Sequence, residues 1–132
     1  MLSTVAWQIG DAPTYALDGG VYNATSAMHW VRGLGLYQTD RELARFDGPS
    51  ALERGLVFVP ALSGLASPYW DHSAAGMWLG MGLHTEPRDL VRAALEGVAL
   101  RSAQALAAMW THIPLSTAVS IDGPLARSEY FC

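Results

Sequence analysis

Four histidines, His29, His72, His84 and His112, are the first candidates for metal or acid–base chemistry in this chain of 132 residues. None stands in an HExxH arrangement or beside an acidic cluster at ligand spacing, so the pattern does not build a metal site. Ser63 lacks the G-x-S-x-G setting of an activated serine and reads as a loop hydroxyl. Gly33-Leu34-Gly35 lacks the third glycine and the preceding strand of a dinucleotide fingerprint, and reads as a helix stop. All 8 basic residues are arginines, which excludes a Walker A lysine, a Schiff base and a lysine nucleophile together. The single cysteine, Cys132, permits neither an internal disulfide nor a cysteine metal cluster, as expected of a reducing compartment.

Two places remain that suit a polar ligand. Asp122-Gly123, at the end of an expected strand Ala118 to Ile121 and before a helix opening at Pro124, is a corner whose free backbone amides suit phosphate or the polar edge of a nucleotide. Such corners occur throughout α/β proteins, and this one alone assigns nothing. Tyr69-Trp70-Asp71 sets two large aromatics beside a carboxylate in a loop. The loop either folds onto its own core or is covered by a ligand or partner. Trp7, Trp30, Trp78 and Trp110 lie in or beside elements and read as core packing.

The elements that must position these residues follow from periodicity and turn chemistry. Leu2 to Ile9 is rich in β-favouring types, and Gly10-Asp11-Ala12-Pro13 turns it into a return strand Thr14 to Leu17, continuing toward Tyr22 with Gly19-Gly20 as a bulge. A helix capped by Asn23 or Thr25 carries Ala27, Met28, Val31 and Leu34 and stops at Gly33 or Gly35. Thr39 to Arg54 is the most polar stretch and reads as a solvated connection with a short helix at Asp40, Glu42 and Arg45. Leu56 to Leu62 is a buried strand ended by Pro60. From Thr85 onward, Leu90, Val91, Ala94, Leu95, Val98, Ser102, Ala105, Leu106 and Met109 trace one face of a long helix, with Arg92 and Glu96 as an i,i+4 pair on its flank. Pro114 closes that segment.

Composition narrows the class further. The length corresponds to one domain, and 51% hydrophobic against 15% charged residues excludes disorder and leaves a surface suited to being covered by more protein. A net charge of -4 is the wrong sign for a nucleic-acid face. The uncharged stretch from Ser102 to Ile121 is broken by Gln104, His112 and Pro114, so no membrane span is expected. With no basic start followed by an apolar run at the N-terminus, cytoplasmic residence is the expectation.

Three segments in order then carry a resemblance: TVAWQIGDAPTYALDGGVYNA (Thr4 to Ala24), FVPALSGLASPYWDHSAAG (Phe58 to Gly76) and GMWLGMGLHTEPRDLVRAALEGVAL (Gly76 to Leu100). They resemble the C-terminal domain of the glycerol kinases in the FGGY carbohydrate kinase family. The third fits the family's second signature: G-x-apolar-x-G-apolar, a gap of seven residues, then Asp89, Leu90 and a helix reaching Glu96. Ser120 to Ser128 stands where the family has its Asp-Gly-Gly nucleotide turn.

The resemblance implies an α/β fold, a ribonuclease H-like or actin-like ATPase domain, incomplete at both ends. It implies that residues 1–132 are part of an ATP-dependent kinase that phosphorylates a primary hydroxyl of glycerol or a related polyol, with ATP and Mg as cofactors. The other readings are a kinase for another polyol or ketose, and a non-catalytic actin-like interaction module. The implied partner is the N-terminal domain of the same enzyme, which would hold the polyol and the catalytic aspartate. No residue here is therefore assigned as catalytic, and the isolated chain is expected to be inactive and to self-associate. The nucleotide-binding candidates are Gly123, Ser128, Thr25 and His29. Thr25 stands where these kinases usually have Gly and His29 where they usually have Gln. Pro124 replaces the second Gly of the turn, and Ala75 replaces the usual Arg before Gly76.

Overall fold

A computed structural model describes residues 1–114 and 116–132. Its order is β1 (Leu2–Ile9), β2 (Ala12–Asp18), α1 (Thr25–Gly33), a 3-10 helix (Asp40–Leu43), β3 (Val57–Val59), β4 (Met77–Leu79), α2 (Pro87–Trp110) and a second 3-10 helix (Pro124–Arg127). Pro87 opens α2 at a position whose amide needs no partner, and the Asp89 carboxylate accepts from the Glu86 amide at 3.0 Å. The helix buries Val91, Ala94, Leu95 and Val98 on one face, as its periodicity predicts.

That face meets β3 and α1. Met28 and Val31 from α1, Phe58 from β3, Leu95 and Val98 from α2, and Leu125 share one apolar cluster. Gly97 is buried where α2 crosses β3: a Cβ there would run into the Phe58 carbonyl. Trp78 joins from β4, its ring 4.6 Å from Phe58 and 5.4 Å from Trp30, and its indole N–H donates to the Leu90 carbonyl at 3.2 Å.

Both sheets are two-stranded and antiparallel. β1 pairs with β2 from Leu2↔Asp18 to Ile9↔Ala12. The return strand starts at Ala12 rather than Thr14, and the irregularity lies between Val5 and Trp7 instead of at Gly19-Gly20. β4, paired with β3 from Val57↔Leu79 to Val59↔Met77, is too short to show an alternation in sequence.

Several expectations are corrected. Ala118 to Ile121 forms no strand: the β-favouring residues are present, but none pairs with another strand among the described residues, and Val119 and Ile121 are exposed. The helix expected from Pro124 is one 3-10 turn followed, after Ser128, by a turn over 129–131. The N-cap of α1 is Ala24, with no side-chain bond from Asn23 or Thr25. Trp7 and Trp110 are exposed rather than packed, because the hairpin projects from the core and α2 outruns it. Arg92 is buried and Glu96 half-buried rather than on an open flank, for the C-terminal segment covers them.

Candidate functional site

Helical spacing places Thr25, Met28 and His29 on one face of α1. They form one wall of a narrow cleft whose second wall is Pro124, Leu125, Arg127 and Ser128, and whose third comes from Tyr37, Asp40 and Leu43. Three segments far apart in sequence meet there. Met28, Leu43 and Leu125 are buried and give the cleft an apolar floor, with Ser128 buried beside them, while Thr25, His29, Asp40 and Arg127 give it a polar rim.

Hydrogen bonds fix the walls to one another. The Tyr37 hydroxyl donates to the Met28 carbonyl at 3.0 Å, tying the loop after α1 back onto that helix. Burial pushes the Tyr37 phenol up, and the Asp40 carboxylate adds to this against Arg32. Arg32 and Asp40 approach to 3.5 Å, so part of the Asp40 charge is already answered. Ser128 Oγ donates to the Leu43 carbonyl at 2.6 Å and accepts from the Phe131 amide at 3.1 Å. The single proton of that hydroxyl is spent holding the C-terminal wall to the third wall; only a lone pair remains for a ligand.

Gly123 lies beside this wall, immediately before Pro124. Its φ of 98° is one that side-chain-bearing residues rarely adopt, and its carbonyl accepts the Ala126 amide at 3.2 Å to start the 3-10 turn. Its own amide donates to Asp122 Oδ1 at 2.6 Å. Pro124 contributes no N–H to the mouth of the cleft. On the opposite side, the first turn of α1 has no side-chain cap, which leaves backbone amides at its start for water or an anion.

Of the four sequence candidates, Thr25, His29 and Ser128 line the same cleft and Gly123 precedes its Pro124 wall. Tyr37, Asp40 and Arg127 were missed. Asp40 sits in the stretch that reads as a solvated connection, and nothing in its local pattern signals that α1 packs alongside. The Tyr69-Trp70-Asp71 loop follows its self-folded reading in part. Asp71 Oδ1 accepts from Ser73 N at 2.8 Å, Ser73 Oγ at 2.6 Å and Ala74 N at 3.2 Å. The Ser73 hydroxyl, its amide and that of Ala74 hold the Asp71 carboxyl below the usual carboxylate range.

An apolar floor can pack against a flat ring, and uncapped helical amides can meet an anion. A divalent cation is different: no group of three or more His, Cys, Asp or Glu among the described residues could hold one, and none is assigned here. No helix among them is long and apolar enough to cross a membrane.

Residues 3–132 match the family model described as the C-terminal domain of the FGGY family of carbohydrate kinases. A glycerol kinase of Geobacter sp. (strain M21) is 42% identical over 111 residues, 83% of this chain and 22% of that protein. A glycerol kinase of Mycoplasma genitalium is 37% identical over 134 residues, 98% of this chain and 26% of the relative. Among solved structures, the Plasmodium falciparum glycerol kinase with ADP superposes with a TM-score of 0.83 at 27% identity, over 98% of this chain and 26% of that one. A xylulose kinase from Brucella ovis gives 0.72 at 29% identity, over 84% and 23%. The fold is the actin-like, ribonuclease H-like ATPase fold of these kinases. The chain spans about a quarter of the length of the relatives it matches.

Proposed function

Because the chain belongs to the FGGY family of carbohydrate kinases, we propose that it forms the nucleotide side of an ATP-dependent kinase that phosphorylates a primary hydroxyl of glycerol. The observation that carries this reading is the meeting of Thr25, His29 and Ser128 in one apolar-floored cleft beside Gly123. When bound, MgATP supplies the phosphoryl group, and the rate of such a transfer rests on positioning and charge neutralisation. This chain's part is to seat the base against Met28, Leu43 and Leu125, to offer the first amides of α1 to the phosphates, and to keep water from that side. The polyol and the general base belong to the rest of the enzyme, with the cytoplasm as its compartment. A kinase for another polyol or ketose draws on solved xylulose kinases at 28–29% identity with TM-scores of 0.72 and 0.61, whereas the solved glycerol kinase superposes at 0.83 with 27% identity and glycerol kinases in the sequence comparison reach 43%.

Titrating the isotope-labelled chain with a non-hydrolysable ATP analogue tests the reading. Amide signals of residues 25–29 and 123–128 should move together and saturate. Signals that stay in place, or that move only elsewhere in the molecule, count against the cleft.

A further inference from the structure

Two arginines of α2 are almost equally buried but are neutralised differently. Arg92 is 5% exposed and Arg101 is 7% exposed. Arg92 meets the Glu96 carboxylate one turn further on at 3.0 Å. The equivalent position for Arg101 is Ala105, and its guanidinium turns instead to Gln104, whose Oε1 accepts from Nη1 at 2.6 Å. Its Nη2 donates to the Ser67 carbonyl at 2.7 Å, and the Tyr69 ring lies 5.2 Å from its Cζ. All three partners are neutral, and no ion pair reaches Arg101 among the described residues. Taking a guanidinium out of water is costly, and neutral acceptors return only part of the loss. Of its five N–H donors two are used, leaving Nε–H among those free to receive an anion.

Arg101 lines a cleft of about 280 Å³, open to solvent, between β3 and α2, with Val57, Val59, Leu65 and Leu100 on its walls. The cleft shares no lining residue with the nucleotide cleft. Its volume lies just under the range of drug-sized sites, enough for a short apolar chain, and its chemistry is apolar with one buried cation. We infer that this cleft binds a carboxylate carried on a small apolar body. The carboxylate pairs with the free edge of Arg101, and the apolar body lies against β3 and Leu100. Phosphate is a poorer match, because its remaining charged oxygens would face apolar walls with no second cation. The same chemistry is available from a free organic acid or from a glutamate side chain of another polypeptide.

The test follows the arginine Nε–Hε signals of the labelled chain during titration with hexanoate, hexanamide, inorganic phosphate and the peptide acetyl-Val-Glu-Val-amide. Hexanoate should displace the Arg101 signal with half-saturation on the order of 1 mM, leaving Arg92 unmoved, and the two neutral or apolar-mismatched probes should not. Whichever of hexanoate and the peptide saturates first identifies the source of the carboxylate. Gln104→Glu places a carboxylate beside Arg101 from an exposed position and should weaken hexanoate binding at least about tenfold without lowering the melting temperature. An Arg101 signal that ignores both carboxylates at about 50 mM, or that responds equally in Gln104→Glu, overturns the inference.

Discussion

The Tyr130 hydroxyl donates to Glu96 Oε1 and, through the same oxygen, accepts from Arg92 Nε at 2.8 Å. The pairing binds the C-terminal segment to the middle of α2. Arg92 also donates to the Asp47 and Gly48 carbonyls at 2.8 and 3.1 Å, and Glu96 accepts the Ala51 and Leu52 amides, each at 3.0 Å. Three segments thus converge on one charged pair that the apolar cluster could not hold alone.

Tyr130→Phe removes the group shared by both charges and leaves them shielded from water. It should cost about 1–3 kcal/mol of unfolding free energy, read from urea melts. In a double-mutant cycle with Glu96→Gln the losses should fall short of additive. Additive losses would mean that Tyr130 acts only by packing.

Acid should dismantle the same hub. Burial by itself pushes the Glu96 carboxyl up, but hydrogen bonds from Tyr130, the Ala51 and Leu52 amides and Arg92 outweigh it and leave the group below its ordinary value. Asp89 is lowered by the Glu86 amide and by Arg54, 2.6 Å away. A carboxyl depressed in the folded state contributes stability above its unfolded value, about 4.3 for Glu and 3.9 for Asp, and loses it as pH falls through the folded value. The urea midpoint should therefore hold above about pH 5 and decline below that, with a shallower decline in Glu96→Gln. A midpoint that is level down to pH 3 would contradict this account.

Gly97 and Gly33 should respond to alanine with opposite signs. A Cβ at Gly97 meets the backbone of Phe58, which cannot rotate aside, so Gly97→Ala should destabilise by about 1–3 kcal/mol. Gly33 closes α1 with open space around it, and Gly33→Ala should stabilise by about 0.4–1 kcal/mol. Equal effects at the two sites would place the α2–β3 crossing elsewhere.

The β1–β2 hairpin should make the chain self-associate. Trp7 is 59% and Ile9 79% exposed, and a two-stranded ribbon has an open edge on each strand. Light scattering over a concentration series should show species above 14.2 kDa, fewer of them in Trp7→Thr. A mass that stays at the monomer value throughout would show that the hairpin is no contact surface.

What the sequence disclosed depended on how local the cause was. The period of Leu90 to Val98, with Pro87 before it, specifies α2 because each residue's partners lie within a turn. Gly10-Asp11 likewise specifies the hairpin. Ala118 to Ile121 has a strand's composition, but a strand needs a neighbour, and that lies beyond any local pattern. The burial of Arg92 and Glu96 depends on Tyr130, 34 positions after Glu96. The cleft joins residue 25 to residue 128 through Leu43, and only the resemblance brought Thr25, His29, Gly123 and Ser128 together beforehand; Tyr37 and Asp40 carried no such mark.

Pro124 separates a nucleotide turn from a simple helix start. At the first position of the 3-10 turn its ring fixes a favourable φ, and the amide it lacks would have no partner within the turn. If a nucleotide occupies the cleft, that same missing amide is one donor fewer for it. Pro124→Gly restores the donor and should tighten binding of an ATP analogue by about two- to tenfold, the worth of a hydrogen bond of about 0.5–1.5 kcal/mol. It should also lower the melting temperature, since glycine frees the unfolded chain. Calorimetric titration and thermal melting of the two proteins read both effects. Unchanged affinity with a lower melting temperature would reduce the corner at Asp122-Gly123 to a helix start, whereas tighter binding despite lower stability has no source in packing and requires the nucleotide to meet the restored N–H.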